Sequence, residues 1–450
     1  MKTSNEIRRV TKARFEALSY ARVPFVKQIS EDIEWFSNQN NAVLGAILLD
    51  KIDNDYVAMV LGRDEVGVFR FIDCEHSIDK LDTARGILIS KMEFHSKKGD
   101  IEFPQGVITR KKHLIFEALV EDSVMPTDYK YLIESDLFSP ARELIQEIAY
   151  SFEDPDGNYI EQFQSTGFNP RLWELYLYAL FHELDFTINR EFNAPDYVIE
   201  KSGVRVCIEA VTVNSSQNGF DEPEPKDNSE MDELLQDYIP IKYGSPLYSK
   251  LKKKYWEKDH VADHPLLIAI HDFHQRDSMM WSRSGLETYL YGAKRTHQLT
   301  ESMDIKQNVV KIDTHNWKGK EIPSNFFEQP DSEHISAVIH SNQATIGKFL
   351  RMGYLAEFGR RDLDIRLTGQ AFINNNHIPI DFDVGISDEG YEEYWANSVT
   401  IYHNPNAKVP LDYRLFEGVA HVFFDGKEFS SIKPQFYPIY GRTKYKEAEI

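Results

Sequence analysis

Cysteine, long apolar runs and positive charge are all scarce in this chain. Its 450 residues include only two cysteines, Cys74 and Cys207, which excludes a disulfide framework or a cysteine zinc site and favours a reducing cytoplasm. No apolar run is long enough to cross a bilayer, so no membrane partner is expected. The N-terminal stretch carries charges throughout and lacks an apolar segment, which is not the pattern of a secretory signal.

The formal net charge of −21 argues against broad nucleic-acid binding, because phosphate contacts need lysine and arginine. A local basic face can nevertheless survive in an acidic protein. The segment 242–258, KYGSPLYSKLKKKYWEK, predicts such a face on a helix. Taken alone, a lysine cluster of this kind is more typical of a solvated helix surface than of a binding site.

The composition is that of a globular protein, with 42% apolar and 27% charged residues, and the length suggests two or three domains. Residues 1–135 alternate strand-like runs with polar turns and predict an N-terminal α+β module of unassigned role. Residues 136–352 are expected to form an α/β core. Residues 353–450 are rich in Asn, Asp, Pro and Tyr, carry short strand-like runs, and predict a β-rich C-terminal extension.

Within the core, the order of elements predicts a mixed sheet flanked by helices. A helix is expected from Asn169 to Leu184, with Asn169 as its cap and Pro170 in its first turn. Three strand-like runs follow, FTINREF, DYVIE and VRVCIEAVTV, and then the basic helix. The apolar strands PLLIAIHDF and ISAVIHSN come next, separated by a further helix. Adjoining antiparallel-type strands followed by helix-linked strands are typical of an α/β sheet with both faces covered.

Two acids lie on the predicted hairpin of this core. Asp196 begins its first strand, and Glu209 interrupts the apolar run of its second. A buried lone carboxylate is unfavourable unless it is paired, hydrogen-bonded or bound to a metal. One interpretation is structural, with Glu209 facing solvent on an edge strand and Asp196 in a turn. The other is a site for Mg²⁺ or Mn²⁺, because Mg²⁺ takes one or two carboxylates from a protein and keeps several waters.

The arrangement resembles the core of the PD-(D/E)XK, or restriction-endonuclease-like, nuclease superfamily. The matching features are a helix with Glu174, then Pro-Asp, a turn, and an acid in an apolar strand, in an α-β-β-β-α-β order from Asn169 to Asn342. The resemblance implies that Asp196 and Glu209 bind the metal and that Glu174 joins them. The runs SAVIHSNQATIGKFLRMG and YHNPNAKVPL resemble a bacterial protein family that carries this core without an assigned activity.

The sequence departs from the superfamily at one position. A lysine normally stands two residues after the second acid and helps to activate water, but this chain has Val211 there. Some members supply the lysine from the helix after the third strand, which here is PLYSKLKKKYWE. Lys250 and Lys254 border the apolar stripe of that helix, whereas Lys253 points away. Lys250 is therefore the first candidate and Lys254 the second, unless the site has lost its chemistry and only binds.

Three weaker candidates lie further along the chain. His271 and His274 follow an apolar strand, but their three-residue spacing suits helical metal ligands, so they are interpreted as polar residues at a strand end. The run SNQATIGKFLRMG enters a helix without a Walker pattern, and the N-terminus of that helix could hold a phosphate. His403 and Asn404 are interpreted as part of a turn.

The sequence thus predicts a metal-dependent nuclease that hydrolyses phosphodiester bonds, with DNA favoured over RNA as the substrate. Glu174, Asp196, Glu209 and Lys250 would form the catalytic centre, and the lysines at 250, 253 and 254 would hold nucleic acid. A role in restriction or anti-phage defence, as a homodimer or with a partner subunit, rests on family analogy alone. The alternative is a catalytically silent nuclease-fold module that binds nucleic acid or a protein partner.

Overall fold

The computed structural model describes residues 6–97, 102–106, 111–216, 222–299, 305–374, 376 and 378–448. The strands of this part of the chain are β1 (Ile7–Val10), β2 (Ser30–Asn38), β3 (Val43–Asp50), β4 (Tyr56–Arg63), β5 (Phe69–Ile78), β6 (Thr187–Asn189), β7 (Tyr197–Lys201), β8 (Val204–Asn214), β9 (Leu266–Phe273), β10 (Ala293–Leu299), β11 (Ile305–Lys311), β12 (Thr314–Trp317), β13 (Lys320–Pro323), β14 (Ala337–Ser341), β15 (Leu363–Ile373), β16 (Ile380–Gly385), β17 (Val399–His403), β18 (Ala420–Phe424), β19 (Phe429–Ile432) and β20 (Phe436–Glu447). The α-helices are α1 (Lys12–Leu18), α2 (Pro24–Ile29), α3 (Leu81–Lys97), α4 (Thr127–Glu134), α5 (Ser139–Ser151), α6 (Tyr159–Phe163), α7 (Phe168–Glu183), α8 (Asn228–Glu233), α9 (Ile239–Leu251), α10 (Arg283–Tyr291) and α11 (Ile346–Leu355).

An eight-stranded sheet forms the centre of the molecule, in the order β19-β18-β17-β14-β9-β8-β7-β6. Strands β6, β7 and β8 are antiparallel neighbours, whereas β8, β9 and β14 run parallel. Helix α7 packs on one face, and α9 and α10 pack on the other. The predicted mixed α/β sheet flanked by helices is therefore confirmed.

Helix α7 is buried nearly all round, which explains its strongly apolar sequence. It begins and ends within one residue of the predicted bounds. Its aromatic residues reach across to other elements: Trp173 Nε1 donates to the Ala269 carbonyl at 3.1 Å, and Tyr176 Oη donates to the Trp395 carbonyl at 2.6 Å. These bonds fix α7 against β9 on one side and against the C-terminal region on the other.

The N-terminal region folds as an antiparallel sheet in the order β1-β2-β3-β4-β5. Because successive side chains of a strand point to opposite faces, β3 serves two hydrophobic clusters. Val43 and Ile47 pack toward α3. Leu44 and Leu48 belong to the large cluster that also contains α7. The N-terminal region therefore shares its interior with the core.

The basic helix is shorter than the sequence predicts. We expected it to run through 242–258, but α9 ends at Leu251. Lys254 takes a left-handed conformation, with φ at 50°, and its N–H bonds to the Leu251 carbonyl at 3.2 Å. A left-handed residue just beyond the last turn is a common way for a helix to stop. Tyr255 is still buried, but it lies in a separate 3₁₀ turn.

The C-terminal region is β-rich, as expected, but it is not only an extension. Strands β17, β18 and β19 pair into the central sheet, while β15, β16 and β20 form a sheet of three strands. The chain between α10 and β14 forms two further hairpins, β10–β11 and β12–β13, which the sequence did not predict. In the described part of the chain, no helix is long and apolar enough to cross a membrane.

A buried ion cluster fastens the C-terminal region to α11. Glu393 accepts from Lys348 Nζ at 2.7 Å and from Arg351 Nη2 at 2.7 Å, and all three side chains are almost fully buried. Burial alone would raise the pKa of Glu393, but the charges of Arg351 and Lys348 outweigh it and lower the pKa to about 2. The cluster is therefore ionised at neutral pH. Its two cations are not free to bind a phosphate at the start of α11.

The substitution Glu393→Gln is expected to lower the free energy of unfolding by about 3–5 kcal/mol, because it leaves a buried lysine and arginine uncompensated. Thermal melts at pH 7 measure the loss. The adjacent exposed residue provides the control: Glu392→Gln should melt within a degree or two of wild type. Equal melting of the two variants would mean that the buried cluster contributes nothing to stability.

Candidate active site

The hairpin β7–β8 brings the two predicted acids together. Its turn residues, Ser202 and Gly203, both have positive φ, as a two-residue type I′ turn requires. This turn pairs Tyr197 with Ile208, so Asp196 and Glu209 come next in register. Asp196 N donates to Glu209 Oε2 at 3.3 Å, and the N–H of the residue after Glu209 donates to Asp196 Oδ2 at 2.8 Å.

Glu209 is buried in an interior strand of the sheet. Its side chain has donors from two other elements: Lys250 Nζ lies 2.5 Å and Tyr255 Oη 2.6 Å from its Oε1 atom. Only 5% of the residue is exposed, and β8 has a neighbour on either side. The interpretation of Glu209 as a solvent-facing residue on an edge strand is therefore wrong.

Lys250 is the lysine that reaches the acids. It extends from the last turn of α9, and 25% of its side chain is exposed. Val211 lies two residues after Glu209, on the same face of β8, and contributes no charge. The ammonium of Lys250 thus supplies a positive charge beside Glu209 that the strand itself does not carry. Lys253 and Lys254 are exposed. The Nζ atom of Lys254 lies 3.7 Å from Glu257 Oε1 rather than beside Glu209.

Glu174 approaches the same end of the sheet from α7, but it is already paired. Its Oε1 accepts from Arg171 Nη1 at 2.8 Å, and its Oε2 lies 3.9 Å from Arg190 Nη2. Burial raises the pKa of Glu174, the two arginines oppose that rise, and the charge of Glu209 adds to it. Oε2 is buried without a hydrogen-bond partner in the described part of the chain. This oxygen therefore has the charge of Arg190 nearby but no hydrogen bond.

Asp196 is the acid of the site with no cation at ion-pair distance among the described residues. Burial raises its pKa to about 7, with further contributions from the charges of Glu209 and Glu174, while Lys250 acts in the opposite direction. Among the described residues, Oδ2 accepts a hydrogen bond and Oδ1 has none. The three acids thus lie within electrostatic reach of one another, and Asp196 has a free oxygen.

These oxygens suit a hard cation, which is what Mg²⁺ or Mn²⁺ would require. Mg²⁺ binds through one or two carboxylates and keeps several waters. Among the described residues, Asp196 Oδ1 has no hydrogen-bond partner, Glu174 Oε2 has only the Arg190 guanidinium 3.9 Å away, and Glu209 Oε1 would have to be released by Lys250 and Tyr255. Within the described residues, no three or more His, Cys, Asp or Glu side chains are grouped as a preformed metal site. A metal at these acids is therefore a hypothesis that rests on the chemistry of the oxygens and not on a preformed site.

A cavity of about 930 Å³ opens beside Lys250. It follows the carboxyl end of β8 and the exposed side of α9, and its far wall is the β12–β13 hairpin. Lysine and hydroxyl side chains line much of it, and Glu222 is the acid in its wall. Of the candidate catalytic residues, Lys250 thus borders a cleft that is large enough for a ligand.

Three side chains of the site were not predicted in their roles. The hydroxyl of Tyr255 was missed because the residue was interpreted only as part of an apolar stripe. Arg171 precedes Glu174 by three residues in a helix, a spacing that indicates an ion pair and could have been used. Arg190 carries no local signal, because its approach to Glu174 depends on how the strand after α7 folds back.

The weaker candidates are buried, and all of them except His271 have side-chain hydrogen-bond partners among the described residues. His274 Nδ1 lies 2.7 Å from Asp272 Oδ1, and both residues are buried. His403 Nε2 lies 2.9 Å from the ring of His421. Asn404 Nδ2 donates to two backbone carbonyls of the preceding loop.

No family model, no curated protein and no solved structure matches this chain.

The substitution Asp196→Asn should stabilise the metal-free protein as the pH rises. A carboxyl whose pKa is raised by folding favours the folded state when protonated, and that advantage disappears between its ordinary pKa, about 4, and its folded pKa, about 7. In EDTA, we expect the stability difference between the asparagine variant and wild type to grow across this window by roughly 2–4 kcal/mol. Denaturant unfolding at pH 5, 6, 7 and 8 measures it.

Glu200→Gln is the matched control, because Glu200 is an exposed acid on the same hairpin. This variant should follow the wild-type pH dependence. If Asp196→Asn also parallels wild type over pH 5–8, the three carboxyls do not repel one another and the site is not electrostatically strained.

Proposed function

We propose that this protein is a metal-dependent nuclease of the PD-(D/E)XK type, with DNA favoured over RNA as the substrate. The observation that carries the proposal is the meeting of Asp196, Glu209 and Lys250 at one end of the β7–β8 hairpin, beside an open cleft. Two acids and a lysine in contact are the elements that phosphodiester hydrolysis with a metal requires. The order α7, β6–β8, α9, β9 also follows the superfamily resemblance.

Asp196 and Glu209 would hold the metal through their carboxylate oxygens. When bound, Mg²⁺ supplies positive charge at the scissile phosphate and lowers the pKa of a bound water. The chain's own part is to fix the two carboxylates. The hairpin register and the 2.8 Å bond to Asp196 Oδ2 do this for the first acid, and the hydroxyl of Tyr255 does it for the second.

Lys250 would act on the reacting phosphate and the attacking water. Its ammonium projects from α9 rather than from β8, and it lies where Val211 leaves the strand without a charge. A cation so placed can orient a water and offset charge that develops on phosphate oxygens. Glu174 would act from the other side as a water-positioning acid, held in place by its two arginines.

The second candidate is a catalytically silent module that uses the same fold to bind nucleic acid or a protein. It is favoured by one specific observation: two of the three acids, Glu209 and Glu174, are already paired with the chain's own cations. Glu209 accepts from Lys250, and Glu174 accepts from Arg171. Such pairs stabilise a carboxylate without a metal. A role in restriction or anti-phage defence belongs to either candidate and rests on analogy alone.

Incubation with plasmid, single-stranded DNA and RNA, each with Mg²⁺, Mn²⁺ or EDTA, separates the two candidates. Nicking that needs metal supports the enzyme. Binding without turnover, together with no stabilisation by millimolar Mn²⁺ in thermal melts, supports the silent module. A folded-state metal site should stabilise the protein by about 1.4 kcal/mol at tenfold excess over its dissociation constant.

Alanine at either hairpin acid should abolish metal-dependent cleavage while the protein stays folded. The expected loss for Asp196→Ala or Glu209→Ala is roughly 100-fold or more, since even outer contacts of a metal site contribute that much. Glu200→Ala, from the exposed face of β7, is the control and should cleave as wild type. Cleavage by purified Asp196→Ala at the wild-type rate would remove Asp196 from the active site.

Lys250→Ala should reduce kcat by about 100- to 1,000-fold and leave KM nearly unchanged, because its charge acts on the transition state. Lys253→Ala should behave as wild type, since Lys253 is exposed and lies beyond the end of α9. Steady-state cleavage of a labelled oligonucleotide measures both. Small and equal effects of the two substitutions on KM would assign both lysines to general electrostatic attraction.

A further inference from the structure

The cavity beside Lys250 has a second wall that the candidate active site does not use. Its near end is formed by Val211 and Lys250, and its far end by the β12–β13 hairpin, which contributes Trp317, Lys318 and Lys320. This hairpin belongs to the segment between α10 and β14 and lies outside the strands that carry the acids. It is therefore a separate element added to the cleft.

The tip of the hairpin places a lysine in an unfavourable backbone conformation. Lys318 and Gly319 have φ values of 48° and 82°, so both turn residues are left-handed, as in a type I′ turn. Asparagine, aspartate or glycine is preferred at the first of these positions, and a lysine there is strained. Strain at an exposed tip is a feature often associated with binding. In this conformation, the ammonium of Lys318 lies 5.8 Å from the centre of the Trp317 ring.

The base of the hairpin is hydrogen-bonded to residues 236–237, in the turn that precedes α9. His315 bonds through one ring nitrogen to the Gln236 carbonyl at 2.5 Å and through the other to the Ser324 hydroxyl at 2.7 Å. The N–H of Asn316 donates to Asp237 Oδ1 at 2.9 Å. A surface that is ordered before binding loses less conformational entropy when a ligand arrives. The hairpin therefore forms a preorganised wall of the cavity.

The charge of the cavity is positive although the chain is strongly acidic. The one acid of its wall, Glu222, lies 3.0 Å from Lys242 Nζ and also accepts from the Tyr238 hydroxyl. Lys318 and Lys320 are exposed, and within the described residues neither has a carboxylate at ion-pair distance. Two uncompensated ammonium groups and Lys250 thus face one cleft, beside a half-buried indole.

We propose that this cavity binds a single strand of nucleic acid, with a base stacked on Trp317 and the adjoining phosphates on Lys318 and Lys320. A strand held in this way would lead along α9 to Lys250. Base stacking on an aromatic side chain combined with lysines along the backbone is how proteins hold unpaired strands. A base in a duplex is already stacked between its neighbours, so Trp317 cannot cover its face. The direction of the strand toward Lys250 rests on the proposed nuclease function, but the binding itself does not.

Fluorescence anisotropy in EDTA tests the binding without any cleavage. Labelled 12-nucleotide dT and rU strands and a 12-base-pair duplex are titrated with wild-type protein between 50 and 200 mM salt. We expect single strands to bind more tightly than the duplex. The double variant Lys318→Ala/Lys320→Ala should reduce the slope of log K against log[salt] by about 1.4, since each lost phosphate contact on a single strand contributes about 0.7.

Trp317→Leu should weaken single-strand binding by about tenfold and leave that slope unchanged, because stacking involves no counterion release. Lys80→Ala, an exposed lysine of the N-terminal region, is the control and should change neither quantity. Equal affinity of wild type for duplex and single strand, an unchanged slope in the double lysine variant, or no binding at 50 mM salt would each overturn the proposal. If binding behaves as expected while plasmid, DNA and RNA all stay uncut with metal, the nuclease function fails and the strand site remains.

Discussion

The carboxylate of Glu209 is the constraint around which the centre of the molecule is arranged. It stands in the middle of an apolar strand, where an unpaired charge would be strongly unfavourable. Its donors come from three different places: the backbone N–H of Asp196 at the start of β7, Lys250 in the last turn of α9, and Tyr255 in the turn that follows. Because all three must meet one side chain, the hairpin, the helix and the turn are positioned by the same requirement.

The same pairing rule governs two other buried acids, and Asp196 departs from it. Glu393 is neutralised by a lysine and an arginine, and Glu174 by two arginines. Glu209 has Lys250. Asp196 receives a backbone N–H but, within the described residues, no cation of its own, and its pKa is raised by burial and by its acidic neighbours. Asp196 thus resembles Glu183, whose pKa burial also raises to about 7: among the described residues, both carboxyls accept from backbone N–H groups and neither has a cation at ion-pair distance.

Sequence patterns predicted those parts of the fold that depend on neighbouring residues. Helix α7 and strands β7, β8, β9 and β14 have apolar runs and caps that local periodicity can identify. The pairing of β17–β19 into the central sheet and the two hairpins after α10 depend on distant partners, which no local pattern encodes. The site divides in the same way. Asp196 and Glu209 were predicted from their places on the hairpin, and Lys250 from the superfamily resemblance together with its place beside an apolar stripe. The contact of Arg190 with Glu174 and the end of α9 at Leu251 depend instead on tertiary packing and backbone conformation.

The choice between an enzyme and a silent module reduces to one atom, Glu209 Oε1. This oxygen has two donors, and they differ in how easily they can leave. Tyr255 is buried, whereas the side chain of Lys250 is partly exposed at the end of a helix and carries four rotatable bonds. Rotation of the Lys250 side chain toward the adjoining cavity would release Glu209 Oε1 without any movement of the backbone. Under the proposed function, Asp196 and Glu209 would then hold the metal, and the ammonium of Lys250 would be available to a substrate phosphate. Under the alternative, Lys250 stays paired with Glu209 and the pair is structural.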